Sequence, residues 1–120
     1  MSVLTRRDAI ASYTTLDGSA IRELLHPDAH PVRQQSLAEA TVPVGGATRL
    51  HRHRTTEEIY HLTRGRGRMV LGEESFPVAT GDTILIPPGM PHCIENLGEE
   101  PLTILCCCAP AYTHSDTELL

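Results

Sequence analysis

Apolar and polar residues alternate along most of this chain in short runs, and proline, glycine and acidic pairs cut the runs apart. A period of two sends successive side chains to opposite faces of a strand, one toward a core and one toward water. Residues 20–25 read as a strand closed by His26-Pro27, and 35–42 as another before the turn Pro43-Val44-Gly45-Gly46. Residues 47–53 and 58–63 follow, then 66–71 and 75–78 as a hairpin around Gly72-Glu73-Glu74. Residues 83–86 stop at Pro87-Pro88-Gly89, and 91–96 and 102–108 complete the set. Roughly nine short strands with almost no helical period predict an all-β antiparallel sandwich or barrel over residues 20–110. The polar stretch 1–19 reads as an arm, with a short helix allowed over 5–11 and a turn at Asp17-Gly18. Residues 111–120 read as a tail that lies over a neighbour or stays mobile.

Composition narrows the possible chemistry. The chain has 120 residues, 40% hydrophobic but only 3% aromatic and without tryptophan, enough for one core built on aliphatic side chains. All ten basic residues are arginine. That removes Schiff-base lysines, phosphate-loop lysines and lysine general bases. A net charge of -5 argues against a nucleic-acid partner. No run approaches the ~20 apolar residues of a membrane span, and the first residues lack the apolar core of a leader, so no membrane partner is expected. Cys106, Cys107 and Cys108 are consecutive, a poor arrangement for bridging because strand neighbours face opposite ways. The expected setting is a reducing one, the cytoplasm.

The seven histidines are many for so short a chain. His51 and His53 stand at i and i+2, so a strand aims both imidazoles at one face. Glu58 opens the next strand and could complete a three-ligand face, whereas Glu57 and His61 point away on the same parity argument. By that parity Arg49 shares the His51 face, where its guanidinium could grip a substrate carboxylate or pair with an acidic neighbour at the rim. Tyr60 shares the Glu58 face, placed to orient a ligand or donate a proton, or simply to fill the barrel.

A second segment sharpens the picture. Gly81, Pro87, Gly89, His92 and Asn96 satisfy G-x5-P-x-G-x2-H-x3-N, and Gly45, His51, His53, Glu58 and Gly65 satisfy G-x5-H-x-H-x4-E-x6-G. The two segments, fifteen residues apart, resemble the paired motifs of the cupin superfamily, in the form of its small single-domain members. The resemblance implies a six-to-eight-stranded jelly-roll barrel with His51, His53, Glu58 and His92 around one divalent transition metal. Three imidazoles and a carboxylate suit Fe(II), Mn(II), Zn(II), Ni(II), Co(II) or Cu(II), and a six-coordinate ion keeps two positions open.

Function is then expected from the site rather than the fold. The leading expectation is a metal-dependent enzyme acting on a chelating, oxygen-rich small molecule, with dioxygenase-type oxidoreductase chemistry favoured. The alternatives are a phosphomannose-isomerase-like sugar isomerase or epimerase, and a non-enzymatic small-molecule binder or sensor. Cys106 and Cys108 share one face, and if that face is interior their thiols lie near the metal or fill core space. Uncovered sheet edges predict a homodimer.

Overall fold

The structure is a computed structural model that describes residues 2–120. Eleven strands form: β1 (Tyr13–Thr14), β2 (Ala20–Leu25), β3 (Ser36–Val42), β4 (His51–His53), β5 (Glu57–Arg64), β6 (Arg66–Leu71), β7 (Glu74–Ala79), β8 (Thr83–Ile86), β9 (His92–Asn96), β10 (Leu102–Ala109) and β11 (Thr117–Leu119). They build two antiparallel sheets, ordered β1-β2-β3-β10-β5-β8 and β11-β4-β9-β6-β7. The architecture is the expected jelly roll, as two facing sheets rather than a closed barrel. Every expected strand is present, although the one expected over 47–53 begins only at His51, and β1 and β11 are additions at the chain ends. In place of a helix over 5–11 there is one 3-10 turn, Arg7–Ala9. Among the described residues no helix is long and apolar enough to cross a membrane.

Alternation decides which side chains meet. On β3 the residues Ser36, Ala38, Ala40 and Val42 are buried, and on β10 Leu102, Ile104, Cys106 and Cys108. β10 pairs with β3 on one side and β5 on the other, setting Ile104 beside Leu62, Cys106 beside Tyr60 and Cys108 beside Glu58. The inner face is therefore graded. Val42, Leu62, Leu102 and Ile104 close one end with aliphatic packing, while Ser36, Glu58 and Cys108 make the other end polar. On the facing sheet Ile94 pairs with Met69 at the apolar end, and His92 pairs with His51 at the polar end.

One contact sets how closely β6 and β9 approach. Gly67 lies under the carbonyl oxygen of Glu95, well inside the distance a Cβ could tolerate, with Leu102 on its other side. Glycine is required there by the neighbouring strand.

Both chain ends are tied down. The segment read as an arm folds back, with β1 paired to β2 and the Asp17 carbonyl accepting from the Arg49 amide at 2.8 Å. The tail packs β11 antiparallel against β4. Asp116 fastens it: Oδ1 accepts from the Thr55 amide (3.0 Å) and hydroxyl (2.8 Å), and Oδ2 from the Thr56 amide (3.1 Å). Burial pushes the Asp116 carboxyl up, but the hydrogen bonds from Thr55 and Thr56 outweigh it and hold it below the usual carboxylate value. A carboxyl depressed in the native state stabilises the fold above its unfolded pKa, and the benefit is lost as pH falls through the native one. Asp116→Ala is therefore expected to lower Tm by a few degrees at neutral pH, with the gap from the parent closing in acid. Thermal melts of both proteins across the acid range check this; a gap that persists unchanged into strong acid would contradict it.

Candidate metal centre

Regular pairing of β4 begins only at His51, and the three residues of the strand alternate buried, half-buried, buried. The imidazoles of His51 and His53 thus enter the space between the sheets while Arg52 turns outward to Glu118. β9 opens with His92, directly opposite His51 in register. Ring centroids lie 4.2 Å apart for His51 and His92, 5.2 Å for His51 and His53, and 5.4 Å for His53 and His92. One ring nitrogen from each falls within 4.8 Å of the other two, and all three residues are buried.

The hydrogen bonds at Nδ1 decide what Nε2 can do. His51 Nδ1 donates to the Arg49 carbonyl at 2.7 Å, and His92 Nδ1 to the Met90 carbonyl at 3.0 Å. His53 Nδ1 meets the Thr117 hydroxyl oxygen at 2.9 Å, and that hydroxyl spends its own proton on the Thr113 carbonyl at 2.9 Å. Thr117 can only accept from His53, so the network assigns the Nδ1–H tautomer to all three rings. Each Nε2 is then left with a lone pair, on the side of the ring away from its Nδ1 partner. His92 Nε2 is fully buried and has no hydrogen-bond partner. A buried acceptor without a donor costs ~1–3 kcal/mol, and a metal ion is the partner that such an arrangement satisfies. The three imidazoles could hold one.

Glu58 comes in from β5. Its Oε1 lies 3.1 Å from His53 Nε2 and 3.5 Å from His92 Nε2, and its Oε2 accepts from the Cys108 thiol at 3.2 Å. Burial pushes the Glu58 carboxyl up, and hydrogen bonds from His53 and His92 when their Nε2 atoms are protonated outweigh it and hold it at about 2; with those lone pairs free, a bound cation would supply the positive charge instead. It is a carboxylate. Burial, with the neighbouring His92, pushes the His51 imidazole down and favours its neutral form. Burial first and Glu58 second raise the Tyr60 phenol well above its usual value, so Tyr60 keeps its proton. Its ring meets the His92 ring edge-on at 5.9 Å.

The site residues expected from the sequence separate into two groups. His51, His53, His92 and Glu58 converge, and Tyr60 lines the same cavity. Arg49 does not join them. It is exposed and outside the cavity lining. Arg49 would share the His51 face only on a strand running from residue 47, but before His51 there is only an isolated bridge from Ala47 to Glu95, so alternation does not extend back to it. Its contribution is main-chain: the carbonyl that orients His51 and the amide that anchors Asp17. Cys106 and Cys108 do face the interior, and burial raises both thiols, keeping them protonated. All four cysteines are free.

Several cavity residues carried no readable signal. Asp17, from the loop after β1, puts Oδ2 3.6 Å from His51 Nε2. Tyr112 packs edge-on against His53 at 5.6 Å, and Thr117 orients that ring. The Asp17-Gly18 pair read only as a turn, and nothing local in residues 111–120 points back to β4. Thr117→Val is expected to weaken metal affinity by ~10- to 100-fold, the usual effect of losing an imidazole's outer partner. Competition against a chromophoric chelator measures it, and an unchanged affinity would show that His53 is oriented without Thr117.

The sequence profile of the cupin domain matches residues 38–108. The chain is 58% identical over 118 residues to the uncharacterized protein MJ1618 of Methanocaldococcus jannaschii, covering 98% of this chain and 94% of that one. It is 34% identical over 73 residues to the oxalate decarboxylase OxdC of Bacillus subtilis, which takes in 57% of this chain but only 19% of that protein. The crystal structure of a predicted oxalate decarboxylase from Thermotoga maritima superposes with a TM-score of 0.79 at 24% identity, over 90% of this chain and 99% of that one. At that identity the superposition speaks for the fold alone.

Proposed function

The chain belongs to the cupin domain family, and on that premise we propose that it is a mononuclear metalloenzyme acting on a small, oxygen-rich molecule. His51, His53 and His92 through Nε2, and Glu58 through Oε1, would hold one divalent ion, Fe(II), Mn(II), Zn(II), Ni(II), Co(II) or Cu(II). The observation that carries the reading is the set of three Nδ1–H tautomers, which leaves three buried lone pairs facing a carboxylate with no donor for His92 Nε2. When bound, such an ion supplies Lewis acidity toward a chelating substrate and, if iron, manganese or copper, one-electron redox chemistry.

The chain's own groups do the rest. Cys108 holds Glu58 Oε2, which leaves Oε1 as the free donor oxygen. Tyr60, protonated, offers a hydroxyl donor to the bound molecule. Ala38, Ala40, Val42, Ile94 and Ile104 line the cavity with apolar surface and keep bulk water from the reacting atoms. We favour dioxygenase-type oxidation. Isomerisation of a phosphorylated sugar has less support, since such a reaction needs a phosphate grip and no arginine lines the cavity. Elemental analysis of protein purified without a histidine tag tests the reading: about one iron or manganese per chain supports it, zinc would redirect it to non-redox chemistry, and no metal at any loading would overturn it. Four free thiols suit the cytoplasm.

The assembly proposed is a homodimer. On the outer face of the larger sheet Leu25, Leu37, Cys107, Ile59 and Leu85 form one cross-strand row that ends on the edge strand β8, with Ile59 40% and Leu85 55% exposed. Packing of this face against the same face of a second copy would cover the row. Light scattering at a monomer mass would sink it.

A further inference from the structure

The lining of the cavity has a charge pattern of its own. Asp17, Glu23 and Glu58 all face it, and none of the ten arginines does. Arg22, the nearest in sequence to this wall, points outward, bonding the Ile10 carbonyl at 3.0 Å and lying 3.9 Å from Glu39. One divalent ion against three carboxylates would leave the site one charge negative.

Two of these carboxylates have an acceptor to spare. Asp17 Oδ1 is committed to the Ser19 amide (2.9 Å) and hydroxyl (2.6 Å), which fixes the side chain so that Oδ2 faces His51. Glu23 Oε1 is committed to the Tyr13 hydroxyl at 2.8 Å. Glu23 Oε2 is buried with no partner. Both residues stand on the β1–β2 hairpin. That hairpin brings carboxylate acceptors to the cavity whose other wall carries the imidazoles. An acceptor held out of water without a donor is satisfied by a ligand that brings an O–H to it. The room is small: the cavity offers about 40 Å³ to water-sized molecules, space for a few waters.

We propose that Asp17 and Glu23 are specificity-determining residues that select a small, uncharged, hydroxyl-bearing ligand and reject dianions, phosphate esters and dicarboxylates alike. The ligand places two oxygens at the metal and gives a hydroxyl proton to Asp17 Oδ2 or Glu23 Oε2. A dianion meets two fixed carboxylates with no arginine to offset them, in a site where low polarity strengthens the repulsion. The likeness to an oxalate decarboxylase therefore does not extend to its substrate. This inference rests on the metal reading above and narrows it.

The test uses the full chain loaded with Mn(II), read by water-proton relaxation as ligands displace metal-bound water. Mn(II) stoichiometry is measured first: absence of binding overturns the metal reading and takes this inference with it. With the metal in place, the probes are dihydroxyacetone, dihydroxyacetone phosphate and oxalate. Dihydroxyacetone is expected to bind at least tenfold more tightly than its phosphate ester, and oxalate to bind far more weakly than it does to free Mn(II). Asp17→Asn combined with Glu23→Gln is expected to tighten oxalate and phosphate-ester binding at least tenfold, with Mn(II) stoichiometry retained. Parent protein that binds dihydroxyacetone no better than the phosphate ester overturns the inference whatever the variant does. A folded, Mn(II)-loaded double variant with unchanged anion affinity overturns it as well.

Discussion

His92→Ala is expected to yield a folded protein that takes up no stoichiometric metal, a loss larger than the ~100-fold that removal of an outer hydrogen-bond partner costs. His92 has the least freedom to be replaced. It is completely buried, its ring is pinned by the Met90 carbonyl, and its Nε2 has no other partner. Removing it leaves two imidazoles on β4 and a carboxylate on β5 with nothing from β9 to close the cage. Two readouts separate the site from the fold. Metal content should fall to background while far-ultraviolet circular dichroism keeps its strand signature. A chelator should lower the Tm of the parent, because an ion that binds only the native state stabilises it by mass action, and should leave the variant's Tm unchanged. His92→Gln, which keeps more of the volume, controls for the void left by alanine. Full metal content in either variant would remove His92 from the ligand set.

The second large effect concerns stability and lies away from the site. Gly67→Ala is expected to destabilise the fold by about 3 kcal/mol, since the new methyl group must displace the main chain of β9 rather than a movable side chain. For a domain of this size that corresponds to a fall in Tm of roughly 10–15 °C. Gly81→Ala makes the comparison. Its φ of +94° disfavours alanine, but nothing lies within 4 Å of the added carbon, so only the conformational penalty of ~1–2 kcal/mol applies. Denaturant melts of the two variants should rank Gly67 well above Gly81. The reverse order would mean that β6 and β9 can move apart at little cost.

That ranking shows where sequence reading stops. Gly81 belongs to a motif and Gly67 to none, yet the constraint on Gly67 is stronger, because it comes from the Glu95 carbonyl on a strand twenty-eight residues further along. The two-residue period made β4, β5, β9 and β10 legible and put His51, His53 and Glu58 on inward faces, since a strand's alternation is set locally; that His92 joins them followed from the resemblance of the paired motifs, not from the period. The same rule misplaced Arg49 because it holds only while the strand lasts, and pairing starts at His51. Asp17, Tyr112 and Thr117 were out of reach for a different reason. They arrive at the cavity through tertiary docking of β1 and β11, and no local pattern records which strand a chain end will dock against.

The docking of both ends has a consequence for biosynthesis. The residues around the three imidazoles come from positions 17, 49–58, 90–92, 108 and 112–117, so the surroundings of the cage are complete only once both ends have docked. A nascent chain that has not yet released β11 lacks the acceptor that sets the His53 tautomer. A ribosome-stalled chain ending before residue 113 is therefore expected to hold His53 less firmly, and to bind Mn(II) more weakly, than the 120-residue chain.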